Sequence, residues 1–281
     1  MTIKTWLAQA KKKLEAAGIG TARLDSLVLL EDAMGSDRAW LLAHGEDLIP
    51  GSKVARLANL LNRRAAHEPL SYVRGKTEFY GREFVISPAV LEPRPESETM
   101  IDLLKALPVF GGSDTPTGRK HHKTVKIADV GTGSGALGIT AALELKNASA
   151  DLLDIDIQAL KVAQTNVDKF TLTLSVVKSD LLSEIRDDYD VLLCNLPYIP
   201  DDFRINAAAG HEPRTAIFGG PDGLDLYRRL FEQLKDRAHR PLYILIEALP
   251  AQHQVLSEIA QKNGYETVQT EDFIQVLQRQ K

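Results

Sequence analysis

The chain has 281 residues, 44% hydrophobic and 26% charged, the balance of an ordinary globular protein with core enough for one or two domains. Lys and Arg number 34 against 38 Asp and Glu, a formal charge of −4, which speaks against a protein that coats nucleic acid. The single cysteine, Cys194, excludes an internal disulfide, and no stretch approaches the ~20 apolar residues of a membrane span. With no signal-like segment at its start, the chain is expected to be cytoplasmic and without a membrane partner.

Residues 3–66 read as helices only. Trp6, Leu7, Ala10, Leu14 and Ala17 share one helical face, and Lys11, Lys12 and Lys13 between them form a solvated one. Gly18-Ile19-Gly20 ends that helix and Thr21 can cap the next, which runs through Leu24, Leu27, Leu30 and Ala33 to Gly35. Ser36-Asp37 caps a short third helix with Trp40, Leu41 and Leu42. Pro50-Gly51-Ser52 introduces a fourth through Val54, Leu57, Leu60 and Leu61. The pattern predicts a small helical bundle over residues 1–68, without metal-ligand spacing or a nucleophile–base pair.

Residues 69–91 change character. Tyr72-Val73-Arg74-Gly75 and Phe79 to Ile86 read as two short strands of a hairpin linker, and residues 92–281 as a second domain. In Pro93-Arg94-Pro95-Glu96-Ser97-Glu98, Pro95 suits the first turn of a helix, and Glu96 and Glu98 favour its positive end. That helix runs through Met100, Leu103 and Leu104 to Leu107. Residues 108–124 read as a polar surface loop in which His121 and His122 carry no metal.

From Thr124 strands and helices alternate, as in a doubly wound α/β sheet. Val125 to Val130 is a strand followed by Gly131-Thr132-Gly133-Ser134-Gly135, whose glycines let the backbone pass close to a ligand ahead of the next helix. The strand Ala150 to Asp154 ends on an acid placed to grip a ribose diol, with Asp156 close enough to be confused with it. Leu174 to Lys178 is followed by Ser179-Asp180-Leu181. Asp129, Asp154 and Asp180 thus close three successive strands beside the glycine turn. No Lys stands in that turn, which counts against a nucleoside triphosphatase, and the acids disfavour a pyrophosphate. They suit a cationic, hydroxyl-rich ligand such as S-adenosylmethionine.

The apolar run Tyr189 to Cys194 predicts a buried parallel strand, in which Cys194 is a small apolar residue rather than a nucleophile. It closes on Asn195-Leu196-Pro197-Tyr198, at the strand end where open α/β sheets bind ligands. The Asn195 side-chain oxygen and the Leu196 carbonyl are two acceptors, which together can hold both N–H bonds of one amide or amino group.

Phe79-Tyr80-Gly81, Pro93-Arg94-Pro95-Glu96, Asp129 to Ala136, Asn195-Leu196-Pro197-Tyr198, Glu212-Pro213-Arg214 and Gly219 to Asp225 stand in the order and spacing of the peptide chain release factor N5-glutamine methyltransferases. The chain resembles that family over nearly its whole length. The resemblance implies a Rossmann-like S-adenosylmethionine-dependent methyltransferase sheet, with a small N-terminal helical bundle that docks the release factor, joined to it by a β-hairpin. It further implies methyl transfer to the glutamine side-chain amide of the Gly-Gly-Gln loop of class I release factors, with no direct nucleic-acid partner. By position, Asp129, Gly131, Thr132, Gly133 and Gly135 would lie along the cofactor, Asp154 on its ribose, and Asp180 with Leu181 beside the adenine. Asn195, Pro197 and Tyr198 would form the catalytic corner, with Asn195 also next to the cofactor. Phe79, Arg94, Glu96 and Leu196 would join that corner around the substrate, Arg94 as a brace.

Leu196 departs from the family's Asn-Pro-Pro-Tyr: the carbonyl remains, but the φ restraint of proline is lost. Ala248-Leu249-Pro250 replaces the family's glycine after the strand Leu242 to Glu247, and the segment Asp272 to Val276 lacks the usual Gly and Arg. From the residues alone two other readings stay open. One is the same fold acting on a ribosomal-protein glutamine or a nucleobase amine. The other is a weakly active cofactor-binding interaction protein.

Overall fold

The computed structural model describes residues 1–110, 124–205 and 209–280, so His121 and His122 lie outside the described residues. The chain divides into two compact units, residues 1–76 with 205–211, and residues 77–204 with 212–281. The first unit is helical, with α1 (Ile3–Ala16), α2 (Ala22–Met34), α3 (Arg38–Ala43), α4 (Gly51–Ala65) and α5 (Leu70–Arg74). Its helices close over Trp6, Leu14, Leu30, Leu41 and Leu57, and Lys11, Lys12 and Lys13 face solvent as expected. Asp37 accepts from the Trp40 N–H at 2.8 Å and caps α3. Thr21 stands at the cap position of α2 but makes no side-chain capping bond. Arg64 donates to the nearly buried Asp25 at 2.7 Å.

The expected strand at Tyr72–Gly75 is instead helical. Pro69 starts the short α5 and Gly75, at φ 75°, ends it, so Ser71, Tyr72 and Val73 are buried on consecutive positions of one turn. Five residues are too few for a helical period to stand out against a strand. The hairpin lies just beyond, as β1 (Lys76–Phe79) and β2 (Arg82–Val85), so its turn falls inside the stretch Phe79 to Ile86 expected as a single strand. Tyr80 and Gly81 between them both take positive φ, 52° and 68°, the twist that a two-residue hairpin loop needs.

The second unit carries α6 (Glu98–Ala106), β3 (Val125–Val130), α7 (Ala136–Glu144), β4 (Ala148–Asp154), α8 (Ile157–Lys169), β5 (Ser175–Lys178) and β6 (Val191–Cys194). Then follow α9 (Asp225–Lys235), β7 (Tyr243–Glu247), α10 (His253–Lys262), β8 (Tyr265–Glu271) and β9 (Ile274–Arg279). Among the described residues seven strands form one sheet in the order β5-β4-β3-β6-β7-β9-β8, with β9 antiparallel to both neighbours. Successive side chains of β6 enter opposite cores, Val191 and Leu193 on the side of α6, α7 and α8, Leu192 and Cys194 on that of α9 and α10. Burial on both faces explains why this strand reads as one unbroken apolar run. The chain runs outward from β3 to β4 and β5, then returns to β6 on the other flank, and the reversal opens a crevice at the strands' carboxyl ends.

Asn166 on α8, fully buried, ties the hairpin to the glycine turn. Its Oδ1 accepts from the Val85 N–H at 2.7 Å, and its Nδ2 donates to the carbonyls of Val85 and Ser134 at 2.8 and 2.9 Å. No helix among the described residues is long and apolar enough to cross a membrane. Asn166→Ala takes this partner from the half-buried Val85 N–H and carbonyl and from the buried Ser134 carbonyl, so we expect the denaturant midpoint to fall by the equivalent of about 1–3 kcal/mol. An unchanged midpoint would show that water takes over those bonds.

Candidate active site

The carboxyl ends of β3, β4, β5 and β6 surround a cavity of about 450 Å³, a size suited to a small cofactor. Asp129, Asp154 and Asp180 all line it, together with Gly131, Thr132 and Gly133 of the glycine turn. So do Leu181, Asn195, Leu196, Pro197 and the buried Phe79. Arg94, Glu96, Gly135 and Tyr198 are not among the residues that line it.

Each acid has its own environment. Asp129 is buried, and its Oδ2 accepts from Thr132 Oγ1 at 2.6 Å and the Gly138 N–H at 2.9 Å. Burial pushes its carboxyl up to about 6, although the two donors pull the other way. Asp154 accepts from the Gly133 N–H on Oδ2 and the Asp156 N–H on Oδ1, both at 2.9 Å. Each oxygen keeps a further lone pair beyond these bonds, and burial raises this carboxyl as well. Asp156 is the cap of α8, accepting from the Gln158 N–H at 2.8 Å. Asp180 takes Arg229 Nη2 at 2.6 Å. Leu181 sits at φ 57°, a strained angle for a leucine, with its carbonyl bonded by Ser179 Oγ at 2.8 Å.

The corner after β6 is held from several sides. The Leu196 N–H donates to Tyr227 OH at 3.3 Å, and that hydroxyl donates to the Glu247 carbonyl at 2.6 Å. Residues 199–201 pair with 217–220: the N–H groups of Ile199, Gly219 and Asp201 meet the carbonyls of Ile217, Ile199 and Gly220 at 2.9 to 3.0 Å. Gly219 and Gly223 allow this closeness, because a Cβ on them would lie 2.2 Å from the Pro197 carbonyl oxygen and 2.0 Å from that of Tyr198. Arg94 Nη2 reaches both oxygens of the buried Glu212 at 2.7 and 2.6 Å, anchoring the start of the segment that leads to Gly219. Leu196 turns its own side chain onto Gly131 and leaves the cavity open.

Behind the corner lies a buried polar group that the sequence did not single out. Cys194 pairs with Ile246 across β6 and β7, so Asn195 and Glu247 follow side by side at the strand ends. Asn195 Nδ2 donates to Ser97 Oγ at 3.0 Å, and Ser97 Oγ donates to Glu247 Oε2 at 2.6 Å. Tyr198 OH donates to Glu247 Oε1 at 3.0 Å. Burial raises the Glu247 carboxyl, and also the Tyr198 hydroxyl beside it. An acid closing the apolar strand at 247, as Asp154 closes β4, was a readable signal. Ser97, Tyr227 and Gln252, whose Nε2 donates to the Tyr198 carbonyl at 2.7 Å, had none.

Residues 5–75 match the PrmC N-terminal domain family, and residues 117–212 the methyltransferase small domain family. The chain is 34% identical over 252 residues to a Release factor glutamine methyltransferase of Koribacter versatilis, spanning 88% of this chain and 86% of that one. One from Moorella thermoacetica is 34% identical over 270 residues, 94% of this chain and 91% of its own. A Bifunctional methyltransferase of Rickettsia felis is 30% identical over 286 residues, and the chain spans 54% of it. Among solved structures, the hMettl16 catalytic domain in complex with MAT2A 3'UTR hairpin 6 shares the fold at TM-score 0.55 and 17% identity, with 82% of each chain covered.

A mostly parallel sheet reversing at β3, with three acids beside one glycine turn, suits a nucleoside cofactor, and the match to the methyltransferase small domain with the named relatives makes it an S-adenosylmethionine-dependent methyltransferase. Within that class, the extent and level of identity settle the rest. The chain belongs to the release factor glutamine methyltransferase family.

The close approach at Gly219 gives a direct test. Gly219→Ala forces its Cβ against the Pro197 and Gly223 carbonyls, so the corner must shift, at a cost of about 1–3 kcal/mol in stability. Thermal unfolding and cofactor binding by calorimetry should both register the change. A variant with wild-type values in both would mean that the two segments are not in contact.

Proposed function

We propose that this chain methylates the side-chain amide nitrogen of the glutamine in the Gly-Gly-Gln motif of class I release factors, with S-adenosylmethionine as donor. The observation that carries the reading is Asn195 on the cavity wall, with its Nδ2 committed to Ser97. The amide oxygen is then the end turned away from Ser97, an acceptor for a substrate N–H. The chemistry of the lining residues fits the donor, which supplies an electrophilic methyl group when bound. Asp154 would hold ribose hydroxyls, Asp180 and Leu181 would flank the adenine, and Asp129, Gly131, Thr132 and Gly133 would lie along the methionine part. Gly135 would act from behind, as the start of α7.

An amide nitrogen is a weak nucleophile, because its lone pair is delocalised into its own carbonyl. Asn195 Oδ1 and the Leu196 carbonyl would hold both of its hydrogens, which restricts the nitrogen to one orientation. The same two dipoles face the positive charge that builds on that nitrogen, and their fixed placement avoids reorganisation. A proton then leaves to water. Phe79, Pro197 and Tyr198 would pack around the glutamine side chain, with Arg94 and Glu96 supporting the loops behind them. Residues 1–68 would serve as the docking module for the release factor, residues 69–91 as the linker and 92–281 as the catalytic domain.

The test is incubation with labelled S-adenosylmethionine and a release factor, its Gln→Ala variant, or RNA. Label is expected on the intact factor alone, and label on RNA would overturn the reading. Asn195→Ala should lower kcat by roughly 10²–10³ while leaving cofactor affinity unchanged. Equal loss of both would mean that Asn195 holds the cofactor instead.

Asp129 gives a pH dependence. With its carboxyl near 6, it is ionised above that pH and neutral below it. S-adenosylmethionine carries a positive charge that S-adenosylhomocysteine lacks. The preference for the former should therefore shrink as pH falls through 6, and should be flat with pH in Asp129→Asn. Calorimetric titration of both ligands over that range checks the sign.

A further inference from the structure

We propose that Glu247 is a positioning residue which sets, through Ser97, the direction in which the Asn195 amide faces the substrate. The inference rests on the reading above only in naming the substrate as a carboxamide. An ionised carboxylate accepts hydrogen bonds and donates none. Glu247 Oε2 accepts the Ser97 hydroxyl at 2.6 Å and Oε1 the Tyr198 hydroxyl at 3.0 Å, and the Asn195 side chain also bonds directly toward the same carboxylate, which can only draw its NH2 end. Ser97 has one hydrogen, and it points at Glu247. Toward Asn195, Ser97 can therefore only accept, and the amide must turn its NH2 to it, as the 3.0 Å contact from Nδ2 records. The oxygen of Asn195 is left for the cavity.

An Asn side chain is nearly the same shape in its two flipped orientations, so packing alone hardly chooses between them. Here the choice is made by the polarity of a chain of hydrogen bonds that ends on a buried charge. Glu247 is 1% exposed, Ser97 2%, and they come from elements 150 residues apart in sequence. The register that sets Asn195 beside Glu247 on neighbouring parallel strands lets a single serine bridge them. Reversed, the amide would present its NH2 to the substrate's NH2, donor against donor.

Glu247→Gln keeps the shape and removes the polarity. A glutamine amide can donate to Ser97 Oγ, which frees the serine hydrogen to swing to Asn195 Oδ1 and favours the flipped amide. Expected is a fall in kcat of about 10²-fold with a melting temperature and S-adenosylhomocysteine affinity near wild type, the loss coming from a misoriented group. Ser97→Ala breaks the middle of the same chain, so the loss of kcat in the double variant with Glu247→Gln should fall clearly short of the product of the two single losses, as for members of one network. A purely structural Glu247 would instead lower melting temperature and cofactor affinity along with kcat. The side-chain NH2 resonance of Asn195, identified by its loss in Asn195→Asp, gives a readout without turnover. It should be protected from hydrogen exchange in the wild type and lose that protection in both single variants.

Wild-type kcat in Glu247→Gln, or losses that multiply in the double variant, would overturn the proposal. Should Glu247→Gln not fold, Ser97→Ala decides by kcat and the Asn195 resonance together. Absence of methyl transfer by the wild type would defeat the functional reading alone, and the resonance would still decide the relay.

Discussion

A carboxylate buried at a strand end must be given donors, and Glu247 shapes the corner through the donors it draws in. Left unpaired it would destabilise the fold by several kcal/mol, far more than any one of its hydrogen bonds contributes. Its donors come from the turn before α6 and from Tyr198, just beyond β6. Its backbone carbonyl takes Tyr227 OH from α9. A single strand end thus gathers both helical layers of the sheet and the loop after β6. The requirement that folds this region is the same one that orients the polar groups at the cavity.

The cavity has the opposite character. Among the described residues an ion pair reaches Asp180, but none reaches Asp129 or Asp154. Burial raises both carboxyls, so ionising them opposes the fold. Linkage makes a cation bound there stabilising by RT ln(1 + [L]/Kd), in part by relieving that electrostatic cost. The strained Leu181 on the same wall follows a similar logic. These features place the ligand site at the low-stability end of a sheet that is otherwise well packed.

The sheet, the glycine turn and the acids were legible because each rests on a local rule: apolar runs for strands buried on both faces, glycines where φ is positive, acids at strand ends. Tyr72–Gly75 reads as a strand because the five residues of α5 carry too little period, and a proline–glycine frame suits a helical turn as well as a strand. The polar layer behind Asn195 was hidden for another reason. Ser97 and Glu247 are 150 residues apart, and only the β6–β7 register, with Cys194 beside Ile246, brings them together. No spacing in the sequence encodes that pairing. Glycines 219 and 223 stood in a recognised stretch, but their purpose shows only against the carbonyls of Pro197 and Tyr198.

That packing also bears on Leu196, which stands where the family has proline. Proline restrains φ through its own ring, and leucine has no such restraint. It does, however, restore an N–H, which proline lacks, and that group donates to Tyr227 OH at 3.3 Å. Tyr227 is fully buried and its hydroxyl is fixed by the Glu247 carbonyl, so the peptide at 196 is tied to the sheet by a bond that the proline form cannot make. Residues 199–201 are paired with 217–220 just downstream, and Gln252 secures the Tyr198 carbonyl between them. A restraint held within one residue is thus replaced by restraints spread over neighbouring elements. The leucine side chain seats on Gly131, so the same substitution couples the corner to the glycine turn by direct packing.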